Sequence, residues 1–222
     1  MTTTITATTG PAKPRLRGWL HVVAAPLALL VGAFLCWQAP ADLRWPVAIF
    51  TASAVALFTS SALLHRGTWG ERTTGVLRRI DHSVIFLLIA GSMTPFAAAL
   101  LPPGPASLLL WTAWLGALAG ALSRVVWLGA PRWVYVPLYL ILGWMAVAFM
   151  PAMVAGGGWL VVGLLVTGGV LYSVGAVVYA LKRPNPFPHW FGFHEVFHSF
   201  TLGGIASHFA AVGLIVFGAA AA

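Results

Sequence analysis

Two histidines, His194 and His198, stand four residues apart at the start of an apolar segment that runs to Phe217. Positions i and i+4 share one face of a helix, so both imidazoles can point at the same object. In a water-soluble helix such a pair is usually a polar surface stripe. Within hydrocarbon, ionisable side chains are costly and usually serve a site. If the helix crosses a membrane, the pair is therefore a candidate for two ligands of a metal ion.

The composition predicts that this helix does lie in a membrane. Of the 222 residues, 60% are hydrophobic and only 7% are charged, which is typical of a chain whose surface contacts lipid. We therefore expect an all-α polytopic membrane protein, with a disordered tail at 1–14 and a transmembrane domain at 15–222. Runs of about 18 or more apolar residues can cross a bilayer, and the sequence contains seven, at 19–37, 45–65, 81–101, 107–128, 134–153, 159–181 and 193–217.

The basic residues indicate how the seven predicted spans are oriented. When successive connections are assigned to alternate sides, eleven of the twelve lysines and arginines fall on one side, and only Arg44 lies opposite. The positive-inside rule places the richer side in the cytoplasm, so we expect the N-terminus inside and the C-terminus outside. The charges are too few and too dispersed to form a continuous basic face, which argues against nucleic acid as a partner.

A single cysteine, Cys36, lies in the first predicted span. One cysteine excludes an internal disulfide and a cysteine-based metal site. An alternative interpretation takes the first span as a cleavable signal peptide, because basic residues, an apolar run and a small-residue site before Asp42 follow in the right order. Its apolar run of about 19 residues is longer than a usual signal core, so we favour a retained first span.

The predicted topology brings more polar residues to the depth of the histidine pair. The second span ends at His65 and the third begins at Asp81, on the same side as the start of the seventh. Three imidazoles leave a fourth tetrahedral position for water, the arrangement of a catalytic zinc ion. Asp81 could act there as general base and acid, or hold the water. Ser61, one turn before His65, could bond to a substrate carbonyl oxygen as negative charge builds on it.

Several of these residues also have purely structural interpretations. Asp81 could cap the start of its helix, and the Ser61 hydroxyl could bond to the carbonyl four residues back. His21, near the start of the first span, is expected to be an interfacial residue, and His189 a loop residue. Glu195 lies about 100° around the helix from His194, and we expect it to face the loops.

His208 lies ten residues beyond His198, about 15 Å along a helix. It cannot share the same metal ion, so we expect either a polar group deeper in a cavity or a buried imidazole bonded to a neighbouring helix. The fourth to sixth spans contain few ionisable groups, with Arg124 near the end of the fourth. Rich in glycine and other small residues, they are expected to be scaffold and cavity wall.

Three motifs follow one another along the chain: Ser61-xxx-His65, Arg79-Ile-Asp81-His-Ser, and His194-Glu-Val-Phe-His198 followed by His208. With these motifs the sequence resembles the haemolysin III family, bacterial relatives of the progestin and adipoQ receptors, over about residues 15–217. The resemblance implies a seven-span bundle in a bacterial plasma membrane, with a zinc ion bound by three histidines. The wider superfamily includes the alkaline ceramidases, in which the matching serine and aspartate take part in amide hydrolysis.

These observations support three alternative functions. The first is a zinc-dependent intramembrane hydrolase that cleaves an amide or ester bond of a membrane lipid. The second is a receptor or sensor in which zinc only stabilises the fold. The third, suggested by the family name, is a pore-forming protein that causes cytolysis. A pore needs a polar path across the bilayer, and the fourth to sixth spans offer little for one.

Overall fold

The computed structural model describes residues 13–220, and these residues fold into a helical bundle. Almost all of the predicted N-terminal tail lies outside the described residues. A short 3₁₀ helix, Met145–Phe149, lies between the fifth and sixth α-helices. The α-helices are α1 Trp19–Gln38, α2 Ala41–Arg66, α3 Glu71–Leu100, α4 Pro103–Val126, α5 Arg132–Trp144, α6 Met150–Leu181 and α7 Phe193–Ala220.

Within residues 13–220, six helical stretches are long and apolar enough to cross a membrane, whereas the sequence predicts seven spans. The difference lies at Arg132–Leu181, a run of 50 residues that contains the predicted spans 134–153 and 159–181. Gly158 interrupts this run with φ 78° and ψ 172°, a backbone conformation that glycine adopts readily. The run is therefore two helical segments joined at Gly158.

The two segments on either side of Gly158 pack antiparallel. Near one end the hydroxyl oxygens of Tyr135 and Tyr179 lie 3.3 Å apart. Further along, Trp144 Nε1 donates a hydrogen bond to Ser173 Oγ at 2.9 Å. As the residue number rises on α5, that of its partner on α6 falls, so the chain reverses its direction between them.

The third helix, α3, lies at the centre of the bundle and packs against α2, α4, α5, α6 and α7. In the most apolar 18-residue stretch of α3, 72% of the residues are buried. In the corresponding stretch of α4 only 22% are buried, and its large apolar side chains face outward. Exposed apolar side chains such as Leu30 of α1 and Trp111 of α4 form the surface that contacts lipid. Side chains on every face of α3 can therefore lie inside the protein.

The start of α3 differs from the expectation. The helix begins at Glu71, ten residues before Asp81, and is continuous through the polar stretch that precedes the apolar run. Asp81 therefore lies in the middle of a helix, and the interpretation of Asp81 as a helix cap is wrong. Hydropathy marks where a helix becomes apolar, whereas the helix itself starts where backbone hydrogen bonding starts.

One end of the bundle contains the last turn of α2 and the first turn of α7; we call it the histidine end. Here the chain preceding α1 pairs with the loop preceding α7. Arg15 N donates to His189 O at 3.0 Å, and Leu16 N donates to Trp190 O at 3.1 Å. These bonds hold the start of α7 against α1 and close the histidine end.

Candidate metal centre and cavity

Three imidazoles from two helices meet at the histidine end. His65 lies in the last turn of α2, and His194 and His198 lie in the first two turns of α7. One ring nitrogen of each lies within 4.8 Å of the others. The Nε2 atoms of His65 and His194 are 3.0 Å apart. The structure thus brings together the three residues that the sequence predicts as metal ligands.

The separation of two of these nitrogen atoms is close to that expected around a tetrahedral metal ion. With metal to nitrogen bonds of about 2.0–2.1 Å, two tetrahedral nitrogen ligands lie about 3.3 Å apart, close to the separation of the two Nε2 atoms. His198 is buried, and its Nδ1 atom finds no hydrogen-bond partner among residues 13–220. Neutral imidazole nitrogens suit zinc, copper, iron and nickel. The three side chains could therefore hold such an ion.

The two predicted catalytic side chains, Ser61 and Asp81, lie side by side next to the cluster. Both are buried, with 2% and 8% of their surface exposed. The Ser61 hydroxyl lies near the Asp81 carboxyl group, whereas the neighbouring Ser60 donates to Leu57 O of its own helix. Both Ser61 and Asp81 line the same cavity as His194.

His21 also lies at this site, although the sequence predicts an interfacial residue. Only 2% of its surface is exposed, and its ring stacks on that of His198 with centroids 3.8 Å apart and planes 10° apart. Neither ring nitrogen has a hydrogen-bond partner in the described part of the chain. The sequence did contain a signal for this contact. Because α1 begins on the same predicted side of the membrane as α7, His21 is expected at a depth similar to that of His198.

The chain just before α1 reaches this site because of a glycine. Gly18 has φ +84°, and a Cβ atom built on it would lie 2.9 Å from the Cβ atom of His65. An L-residue rarely adopts this conformation, and none would fit against His65 without a shift. Gly18 therefore allows α1 to approach α2 closely beside the histidine cluster.

Glu195 is buried next to His194 in the sequence but faces away from the cluster. It forms an ion pair with Arg17 and accepts a hydrogen bond from Gly192 N at 2.8 Å. The carboxylate thus satisfies a free backbone donor at the start of α7, where negative charge is also favoured by the helix dipole. The role of Glu195 is to fix the first turn of α7, and with it His194.

Arg124 was expected in a scaffold region, yet only 1% of its surface is exposed. It donates to the carbonyl oxygens of Trp127 at 3.2 Å and Leu128 at 2.9 Å, just past the end of α4. Its other contacts are His82 Nδ1 at 3.0 Å and the Tyr135 ring, 4.2 Å from the guanidinium carbon. Carbonyls at a helix C-terminus carry partial negative charge, which explains how this cation is accommodated.

A cavity extends from the histidine cluster into the bundle. It is lined mainly by apolar side chains of α3, α5, α6 and α7. The volume within it that the centre of a water molecule can occupy is about 160 Å³. Hydroxyl groups along its wall, such as those of Ser92 and Thr201, bond to carbonyls of their own helices. His208 lines the cavity, and its Nε2 lies 3.2 Å from Leu165 O of α6. His208 is therefore both a polar group deeper in the cavity and a buried imidazole bonded to a neighbouring helix, which the sequence offered as alternatives.

The chain is similar to characterised families and proteins over most of its length. A family model described as "Haemolysin-III related" matches residues 10–209. The protein named "Hemolysin-3 homolog" of Bacillus subtilis (strain 168) is 38% identical over 164 residues, which cover 72% of each chain. The protein named "Hemolysin-3" of Bacillus cereus is 30% identical over 164 residues, which cover 72% of this chain and 70% of that protein. The family match includes every residue of the histidine cluster, together with Ser61, Asp81 and His208.

Proposed function

Because the chain belongs to the haemolysin III family of multi-pass membrane proteins, we propose that it is a zinc-dependent hydrolase that cleaves an amide or ester bond of a membrane lipid. The observation that carries this proposal is the position of Ser61 and Asp81. Both lie beside the three-histidine cluster at one end of a largely apolar cavity. A carboxylic acid and a hydroxyl buried in this position suit proton transfer and stabilisation of negative charge.

His65, His194 and His198 would hold the zinc ion. When bound by three imidazoles, zinc lowers the pKa of a coordinated water to about 7 and polarises a carbonyl group. His198 lies one turn further along α7 than His194, and the ring of His21 stacks on it. The protein's own contribution to the chemistry then comes from Asp81 and Ser61.

Asp81 accepts a proton from the attacking water as the new bond to the carbonyl carbon forms. It returns the proton to the nitrogen or oxygen of the leaving group as the scissile bond breaks, so one residue serves as general base and then general acid. The Ser61 hydroxyl lies against Asp81 and can turn to donate a hydrogen bond to the substrate carbonyl oxygen. Its donation stabilises the negative charge that develops on that oxygen.

The cavity wall binds the hydrocarbon chain of the substrate. Side chains such as Ile85, Met93 and Leu165 line it, and an acyl chain there removes apolar surface from water. The same wall excludes bulk water from Asp81, which strengthens its electrostatic interactions. A lipid thus enters with its chain in the cavity and its amide or ester group at the histidine end.

The topology that we propose has seven spans in a single transmembrane domain, residues 15–222. A straight helix of 50 residues would be about 75 Å long, more than twice the hydrocarbon thickness of about 30 Å. The reversal at Gly158 supports counting Arg132–Leu181 as two spans. The basic residues concentrate on the side of the histidine end, which supports a cytoplasmic N-terminus and water supplied from the cytoplasm.

We expect Asp81→Asn and His194→Ala to have different effects on the purified protein. Asp81→Asn keeps the shape of the side chain but removes the base, so it should retain about one zinc ion and lose about 10²- to 10⁴-fold in turnover. His194→Ala removes a ligand and should lose both zinc and turnover. Elemental analysis measures zinc, and mass spectrometry measures the products released from a panel of lipid amides and esters.

Three results would contradict this proposal. Full zinc retention in His194→Ala would show that the cluster does not bind the ion. Zinc-loaded protein without turnover would favour the receptor or sensor, in which zinc only stabilises the fold. Unchanged turnover in Asp81→Asn would show that Asp81 is not the base.

A further inference from the structure

The cavity contains a second group of polar atoms, at the end opposite to the histidine cluster. The Tyr172 hydroxyl of α6 and the Nδ1 atom of His208 of α7 are buried there, and neither has a hydrogen-bond partner within residues 13–220. Both side chains line the cavity. Buried polar groups without a partner are rare in folded proteins and call for a ligand or a water molecule. We call this pair the distal polar site.

The two rings of this pair pack closely against the facing helices. A Cβ atom built on Gly168 of α6 would lie 2.3 Å from the His208 ring, and one built on Gly204 of α7 would lie 2.6 Å from the Tyr172 ring. Each helix thus has a glycine opposite the aromatic ring of the other helix. The two rings meet edge to face with centroids 5.4 Å apart. These contacts fix both side chains in the wall of the cavity.

The hydrogen-bonding capacity of the pair follows from the contacts of His208. Its Nε2 faces the carbonyl oxygen of Leu165, which can only accept, so Nε2 carries the proton. Burial against Phe96 and Tyr172 favours the neutral ring. In a neutral ring with a protonated Nε2, the Nδ1 atom is an acceptor. The Tyr172 hydroxyl can donate at the same site.

We propose that the distal polar site binds a hydroxyl group carried on the hydrocarbon chain of the lipid. A hydroxyl group can donate to His208 Nδ1 and accept from Tyr172, whereas a ketone or ether oxygen could accept but not donate. His198 and His208 are ten residues apart on α7, about 15 Å along the helix. The ligand is therefore a long-chain lipid whose hydroxyl group lies near mid-chain, about 15 Å from the group held at the histidine end.

The proposal deepens the proposed function, because it specifies the substrate of the same cavity. It is tested by binding, which does not depend on turnover. The Asp81→Asn protein is titrated in detergent with three probes that displace a fluorescent fatty acid. The probes are a long-chain fatty acid, the same acid with a mid-chain hydroxyl group, and its isomer with the hydroxyl group next to the carboxylate.

We expect the mid-chain hydroxy acid to bind about tenfold more tightly than the other two acids, since it alone satisfies both buried groups. Tyr172→Phe and His208→Leu, each in the Asp81→Asn background, should remove most of this preference. Tyr179→Phe is the matched control, because this cavity-lining tyrosine lies near the histidine end. It should keep the preference. Thermal unfolding in the same detergent checks that each variant is folded.

Equal affinity for the three acids would overturn the proposal, since the distal polar site would then be satisfied by water. A preference that survives in both Tyr172→Phe and His208→Leu would also overturn it. A preference that depends on these residues, in a wild-type protein that hydrolyses none of the lipids, would support the distal polar site while contradicting the hydrolase function.

Discussion

His21 and His198 illustrate how the site depends on individual side chains. Their rings are stacked with centroids 3.8 Å apart, and His21 also packs on Phe58 at 5.0 Å. His198 contacts His194, a candidate metal ligand, as well as this aromatic surface. We infer that His21 is a positioning residue, which limits rotation of the His198 ring and so presents its nitrogen to the ion.

Substitution of His21 should affect zinc affinity according to the shape of the new side chain. His21→Ala removes the stacked ring and should weaken zinc binding about tenfold, in the range found for groups that orient a metal ligand. His21→Phe keeps an aromatic ring against His198 and should retain most of the affinity. Competition with a chromogenic chelator measures the dissociation constant of both variants. Equal losses would mean that the ring nitrogens of His21, and not its flat surface, are needed.

At the scale of elements, the site depends on how closely the helices approach one another. His65 is the candidate ligand supplied by α2, and the chain leading into α1 passes its Cβ atom at Gly18. The first turn of α7 is held by the ion pair of Glu195 with Arg17, from the same segment. Residues 13–18 therefore support both helices that carry the three-histidine cluster.

Gly18→Ala should destabilise the protein and displace His65. The left-handed conformation costs an alanine about 1–2 kcal/mol, and the new Cβ atom would meet His65. Thermal unfolding and zinc affinity should both decrease. Gly70→Ala is a suitable control, because Gly70 also precedes a helix but has φ −63° and, within the described residues, nothing within 4 Å of a built Cβ atom.

The control variant should unfold at the wild-type temperature and bind zinc normally. If Gly18→Ala behaved in the same way as Gly70→Ala, the segment before α1 would have no influence on His65. Loss of stability with unchanged zinc affinity would show that the segment supports the fold but not the metal ligands.

At the scale of the whole molecule, the distribution of polar groups favours a lipid ligand over a pore. Within residues 13–220, buried polar atoms without a hydrogen-bond partner lie towards both ends of the cavity, in His21 and His198 and in Tyr172 and His208. Between them, Ser92, Ser173 and Thr201 bond to carbonyls of their own helices. A pore requires polar groups that can solvate ions along its whole length, whereas an acyl chain requires an apolar wall with polar ends.

The seven-span topology can be tested by labelling single cysteines in a Cys36→Ser background. Trp159→Cys and Lys182→Cys place exposed thiols at opposite ends of the last segment of α6. With seven spans and a cytoplasmic N-terminus, a membrane-impermeant maleimide should label position 159 in intact cells. Position 182 should react only after permeabilisation. The exposed positions 44 and 72 provide outside and inside controls, as Arg44→Cys and Arg72→Cys.

If positions 159 and 182 were labelled from the same side, the segment between them would not cross the membrane, and the seven-span topology would be wrong. Labelling of position 182 in intact cells, with 159 protected, would keep the seven spans but invert their orientation. The second result would place the histidine end and its water supply outside the cell.

Much of the site could be predicted from the sequence because depth in a membrane is a one-dimensional property. Apolar runs locate the spans, basic residues orient them, and the spacing of His194 and His198 places both on one helical face. The end of the predicted second span then puts His65 at the same depth. The three-histidine cluster follows from these local patterns, and the structure does bring its members together.

The rotation of each helix about its own axis, in contrast, was decided by the tertiary structure. Whether His21 faces lipid or His198, and whether Arg124 is exposed or buried, depends on which side of the helix packs against its neighbours. The same holds for the glycines of α6 and α7 that let Tyr172 and His208 meet. Hydropathy is nearly uniform around helices in lipid, so it carries little information on rotation, and side-chain packing between helices determines it.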